Sequence, residues 1–245
     1  MTLEQLNKQR WDACRIPETN AAAFRNAATI ISAHRERYEK VSKATGVPWW
    51  FIGVVHYRES SNNFNTYLGN GQPLNKKTTI VPKGRGPFNT WEDGAVDALV
   101  NCPPYAARNK NWSVGPALAL LEKYNGLGYA SKGVPSPYLW AGTNQYVKGK
   151  YVSDGVYNPN VIDKQLGCAG LLKFMGIFKT VDVADTSKKT GILAAIGASI
   201  YSVYNYGIEH WPYFLAAGAA IATSIGVYNF IKFRKGKLKD VKQVK

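Results

Sequence analysis

Histidine and cysteine are scarce in this chain, with three of each among 245 residues. Cys14, Cys102 and Cys168 are widely separated and odd in number. They lack the spacing of metal ligands and cannot all pair within one copy, so neither a zinc module nor a disulfide-framed secreted domain is expected. Glycine-rich phosphate cradles are also missing, since Gly69-Asn70-Gly71 has the form of a tight turn. The expectation is therefore no metal and no nucleotide cofactor. Acidic residues are in deficit, 16 against 31 Lys and Arg, which leaves a net charge of +15. No nucleic-acid motif accompanies that charge, so anionic lipid headgroups or cell-wall polymers suit it better as partners than nucleic acid. The start, Met1 to Lys8, is polar and carries no secretory signal pattern.

Charge is absent altogether from residues 190–208 and again from 211–231. Each run is close to the ~20 residues needed to cross a bilayer core. Only Glu209 and His210 lie between them, which fits a helical hairpin. The first run holds Ser199, Tyr201, Ser202, Tyr204, Asn205 and Tyr206, so it also fits an interfacial helix. In the second, Gly218, Ala222 and Gly226 recur every four positions, as close packing of helices in lipid requires. A basic tail follows, with Lys232, Arg234, Lys235, Lys237, Lys239, Lys242 and Lys245. The expected organisation is a globular domain over 1–185 and a two-helix membrane-associated hairpin with a basic tail over 186–245, contacting the membrane through 190–231. The positive-inside rule assigns Lys188-Lys189 and the tail to the cytoplasmic side.

Within 1–185 the pattern is mainly helical, with an α+β class expected. Helices are read over 3–15, 20–43, 48–60, from Thr90 as cap, over Val114 to Tyr124, and over Ile162 to Phe178. Residues 62–90 read as loop and short strand, with Thr78-Thr79-Ile80-Val81 as strand, giving a small β-lobe. Residues 126–160, rich in Gly, Pro and Tyr, show little periodicity.

Chemistry centres on Glu59, at the end of the apolar helix Val54-Val55-His56-Tyr57-Arg58-Glu59-Ser60. Ile52, Val55, His56 and Glu59 share one helical face, so the carboxyl is drawn towards the buried side. Burial raises a carboxyl pKa, and an acid still protonated near neutrality can protonate a leaving oxygen. The next acidic residue along the chain is Glu92, so no second carboxylate follows nearby. Asp93 and Asp97 are candidates for a distant second acid, with helix capping or surface solvation the commoner use of such residues; His56 reads as a structural histidine and Arg58 as solvated or salt-bridged. Trp49 and Trp50 read as core.

Helix, Glu59-Ser60 at its end, a short β-lobe and then a helical half with Tyr124-Asn125: this pattern resembles the lysozyme-like superfamily. Goose-type lysozymes and lytic transglycosylases are the nearest in logic, with phage endolysins beside them. The resemblance covers roughly residues 40–178 and implies a lysozyme-like domain that cleaves peptidoglycan glycan strands. It implies Glu59 as catalytic acid/base, Ser60 orienting its carboxyl, and Tyr124 and Asn125 binding near the cleaved bond. Gly84-Arg85-Gly86-Pro87-Phe88-Asn89 is similar to a segment of plant-type chitinases, with Asn89 where Gln is usual. Chitinases carry a second Glu between that segment and the catalytic helix, and this chain has none. The Phe expected three residues after the Glu lies five after it, at Phe64, and the Gly-Leu-Met-Gln motif is missing. Trp140 and Tyr146 are expected either to stack on sugars or to pack within their own loop. Hydrolysis and transglycosylation both remain open at this point. Two other readings are a chitinase, and a membrane-active or virion structural protein whose lysozyme-like domain only binds glycans.

Overall fold

The computed structural model describes residues 1–178. The apolar runs at 190–208 and 211–231, the basic tail and hence the expected hairpin lie outside the described residues. Among the described residues no helix is long and apolar enough to cross a membrane.

The fold is mainly helical, with one two-stranded antiparallel sheet. Helix α1 (Leu3–Ala13) starts on a capping box: Thr2 Oγ1 accepts from the Gln5 amide at 3.2 Å, and Gln5 Oε1 accepts from the Thr2 amide at 2.9 Å. Then come α2 (Glu18–Ala33) and α3 (Arg35–Thr45). The single helix expected over 20–43 is thus broken at His34, whose φ of −100° and ψ of 11° lie outside the helical well. The break turns α3 so that Tyr38 and Val41 are buried while Ile31 closes α2. Gly46 ends α3 in the left-handed conformation.

Helix α4 (Trp49–Ser60) runs through the middle, with Pro48 as its N-cap. Phe51 to His56 are buried on every side, because α4 packs against α2, α3 and two later helices. That is why its apolar face is continuous rather than a stripe. Gly53 allows the closest approach: a Cβ there would meet Ile31 Cγ2 at 2.6 Å. Trp49 and Trp50 only flank this core, half-buried. An aromatic cluster surrounds His56, with Phe64 and Trp91 ring centroids 4.6 Å and 4.5 Å from its own.

Helix α5 (Trp91–Asn101) begins, as expected, on Thr90, whose Oγ1 accepts from the Asp93 amide at 3.1 Å. Helix α6 (Val114–Tyr124) packs on α1 and has the expected bounds. The Gly- and Pro-rich stretch forms two single-turn helices, α7 (Gly128–Ser131) and α8 (Pro137–Trp140). It then forms the hairpin β1 (Lys150–Ser153) and β2 (Val156–Asn158). The final described helix, α9 (Cys168–Phe174), packs on α2, α4 and α8. It is shorter than the run expected from Ile162, because 159–167 are spent crossing back to the end of α4.

The small sheet is therefore not where the β-lobe was expected. Between residues 62 and 90 the structure has one isolated bridge, Thr66 with Pro73. The β-branched run at 78–81 forms no strand because side chains take its backbone groups. Gln72 Oε1 accepts from the amides of Thr79 and Ile80 at 2.7 Å and 3.2 Å. Asn70 Nδ2 donates to the Ile80 carbonyl at 3.2 Å. Such side-chain bonds compete directly with a strand ladder.

Candidate active site

The last turn of α4 carries Tyr57, Arg58, Glu59 and Ser60, and each is held differently. Arg58 turns inward, and its guanidinium meets Asp163 Oδ2 at 2.9 Å with both side chains almost fully buried. It also donates to the Gln165 carbonyl at 2.8 Å. Gln165 returns the contact, its Nε2 donating to the Tyr57 and Arg58 carbonyls at 2.8 Å and 3.2 Å. These carbonyls are among those a helix end leaves without partners, so the crossing segment before α9 caps α4. Arg58 thus takes the salt-bridged form anticipated for it. On the other side, Gly71 lies so close that a Cβ would stand 2.7 Å from the Glu59 carbonyl, and its φ of +71° suits glycine.

Glu59 keeps part of its surface open while its carboxyl is largely withdrawn from water. Burial pushes it from the ordinary 4.5 up to about 7, against the pull of the Tyr138 hydroxyl and the Arg58 charge. The C-terminal end of a helix offers an anion no help. Tyr138, from α8, donates from its hydroxyl to Glu59 Oε1 at 3.0 Å. Its ring lies 4.9 Å under the Arg58 guanidinium, so the same cation that pairs with Asp163 also positions the tyrosine. Burial and the neighbouring Glu59 charge push the Tyr138 phenol well above its usual range. It therefore stays a donor.

Tyr124 stands in the same electrostatic neighbourhood. Its hydroxyl is buried and has no hydrogen-bond partner among the described residues, and burial together with the Glu59 charge raises its phenol too. Asn125, next along, is exposed on the wall of a cavity of about 450 Å³. That cavity is also lined by Arg58, Tyr129, Lys150, Asp154 and Gln165. Glu59 does not itself line it, but Arg58 and Pro137, the chain neighbours of Glu59 and Tyr138, do. Tyr124 thus lies within electrostatic reach of Glu59, and Asn125 shares the cavity wall with Arg58.

The other residues singled out from sequence sit elsewhere or act otherwise. Ser60 Oγ donates to the His56 carbonyl at 3.3 Å, within its own helix; the partner of the Glu59 carboxyl is Tyr138. Trp140 is completely buried and offers no ring face to a sugar. Tyr146 is nearly as buried, its hydroxyl donating to the Gly149 carbonyl at 3.1 Å and accepting from the Asp163 amide at 3.0 Å. Trp140 takes the packing alternative, while Tyr146 also lines a separate cavity with Asn144, Ile162 and Leu166. Asn89 is exposed and lies outside the cavity wall, while Arg85 of the same segment is clamped onto Asp97. His56 is structural: it bridges the Tyr38 hydroxyl and the Asn63 carbonyl at 3.1 Å each, and burial pushes it down to about 4.

Among the described carboxylates that sequence reading passed over, Asp163 is committed to Arg58 and Lys150. Asp154 is exposed on the cavity wall. Among the described residues no group of three or more His, Cys, Asp or Glu is placed to hold a metal ion. Comparison of the chain with protein-family models, with curated proteins and with solved structures finds no match, so the functional reading rests on this site's own chemistry.

Proposed function

We propose that the chain is a peptidoglycan-cleaving glycosidase, a muramidase or lytic transglycosylase, that uses Glu59 as its general acid/base. The observation that carries this reading is a carboxyl pushed up to about 7, withdrawn from water and hydrogen-bonded by Tyr138, next along the chain to Arg58, which lines an open polar cavity. An acid poised there is half-protonated at neutral pH, where it can still donate and its conjugate base can still accept. Glu59 gives its proton to the bridging oxygen as the glycosidic bond breaks and positive charge develops on the sugar carbon. The carboxylate then takes a proton either from an attacking water or from the sugar's own 6-hydroxyl. The first route yields a reducing end and the second an anhydro end.

Paired-carboxylate glycosidases need a second acid across the bond. Glu92 is bound to Arg37, Asp97 to Arg85, and Asp163 to Arg58 and Lys150. Asp154 is the cavity-lining carboxylate without such a partner among the described residues. If water is the nucleophile, Asp154→Asn lowers the rate and shifts products towards anhydro ends. If the 6-hydroxyl attacks, the variant leaves both unchanged.

The test is mass spectrometry of fragments from purified peptidoglycan treated with the intact chain and with Glu59→Gln. Muropeptides with anhydro or reducing muramic ends are expected from the first, with a loss of at least about a hundredfold in the second. Soluble fragments in equal yield from both would remove Glu59 from the chemistry. Binding without any fragments would favour a glycan-binding domain, and cleavage of chitin oligomers with peptidoglycan ignored would favour a chitinase.

A further inference from the structure

The loop over residues 72–85 is tied down by its own hydrogen bonds and packs Leu74 on the core, yet turns Ile80 and Val81 outward. Ile80 is 53% exposed and Val81 79%. The two sit side by side with polar and charged residues on either side of them in the chain, the apolar-centre, polar-rim order of an interaction patch. The tip is fastened from three sides. Gln72 holds the amides of Thr79 and Ile80, and its Nε2 donates to Thr79 Oγ1 at 2.8 Å. Thr78 Oγ1 donates to the Pro82 carbonyl at 2.5 Å and accepts from the Arg85 amide at 3.0 Å. Arg85 is in turn clamped to Asp97 of α5. The side chains of Lys76, Lys77 and Lys83 flank the tip, exposed and without an ion pair or hydrogen bond among the described residues.

From this arrangement we infer that the loop is a membrane-docking element, with Ile80 and Val81 entering the acyl boundary of an anionic bilayer and the three lysines meeting its headgroups. The charge around the tip is of one sign, which favours an anionic surface and disfavours a neutral one. The two aliphatic side chains add what a purely polyanionic partner would leave unused. Because the loop is already fixed, docking orders little new chain, which spares the entropy that a flexible loop would lose. The inference stands apart from the glycosidase reading: it invokes neither Glu59 nor the cavity.

Residues 190–231 are themselves apolar, so the test must report on the loop rather than on binding by the whole chain. Val81→Cys provides a handle, since Cys14, Cys102 and Cys168 are all buried and an environment-sensitive fluorophore then labels position 81. The labelled full-length protein is titrated with vesicles of phosphatidylglycerol and phosphatidylcholine in about equal parts, with and without a lipid-borne quencher. The expected result is a blue shift and quenching on the mixed vesicles and neither on pure phosphatidylcholine. Combining Lys76→Ala, Lys77→Ala and Lys83→Ala should raise the lipid concentration needed for the shift by on the order of a hundredfold. Protein that sediments with vesicles while the label keeps its aqueous emission would overturn the proposal, as would protein that does not sediment at all. So would a shift produced equally by a soluble polyanion and untouched by the lipid-borne quencher.

Discussion

At residue scale, Glu59 and His56 sit one helical turn apart and are perturbed in opposite senses. Glu59 is pushed up from 4.5 to about 7, so between those values the folded protein holds a proton that the unfolded chain has lost. Its contribution to stability is complete below 4.5 and disappears as pH rises through 7, a swing of about 3 kcal/mol. His56 is pushed down from 6.5 to about 4, so there the unfolded chain holds the extra proton. Its contribution is complete above 6.5 and is lost as pH falls through 4. The two slopes oppose each other across most of the same window and largely cancel. Glu59→Gln removes one of them. The variant is expected to lose activity, to melt several degrees higher than the parent at pH 8, and to show stability that rises between pH 4 and 6.5. Thermal melts of both proteins from pH 4 to 8 check the two stability signs, and release of peptidoglycan fragments checks the first. Tyr138→Phe probes the same carboxyl from the other side: it deletes the 3.0 Å bond that favours the ionised form. The acid should then persist to higher pH, moving the alkaline limb of the rate profile upward, whereas a tyrosine that only fills space would lower the rate without moving the limb.

At the scale of elements, what was legible in sequence was local. Thr90 capping α5, the bounds of α6 and the course of α4 to Ser60 follow from short-range patterns. The break at His34 was not legible, since it is set by how α2 and α3 pack on α4. The hairpin did have a signal: Asp154-Gly155 is the two-residue loop between Ser153 and Val156, with Gly155 at φ +71°. The β-branched run at 78–81 carries the stronger strand composition of the two. Tyr138 is among the downstream aromatics that could stack on a sugar, but nothing in sequence ties it to Glu59, for it lies 79 residues away and meets it only through the fold.

The pairing of α1 with α6 carries its own prediction. Asn7 Nδ2 donates to Glu122 Oε2 at 2.8 Å, leaving Asn7 Oδ1 and Glu122 Oε1 buried without partners. A protonated Glu122 would complete a cyclic acid–amide pair, and burial does push this carboxyl upward. Its stabilising effect belongs to low pH and is lost as pH rises through the folded value. Glu122→Gln supplies the same donor without a titrating proton, so denaturant unfolding should show it more stable than the parent at pH 8 and nearly equal at pH 4. Glu122→Leu strands Asn7 and should cost about 1–3 kcal/mol at both.

For the molecule as a whole, the proposed glycosidase and the expected hairpin together raise the question of which side of a membrane the Glu59 domain would occupy. The net charge of +15 includes Lys188-Lys189 and the tail beyond residue 231. Both ends of the uncharged stretch are therefore basic, and the positive-inside rule favours keeping them in the cytoplasm. A hairpin inserted in that way leaves the Glu59 domain on the cytoplasmic side, where the leaflet is anionic and the lysines around Ile80-Val81 find matching charge. Peptidoglycan lies on the opposite side. Such an enzyme would be harmless until the membrane is breached or until a particle delivers it from outside, which suits a lysis-timed or virion-carried activity. Protease added to sealed spheroplasts that express the chain should leave the domain before residue 190 uncut, and the same protease should reach it after detergent or osmotic rupture. Digestion of the domain in sealed spheroplasts would place it outside and remove any need for a timed release.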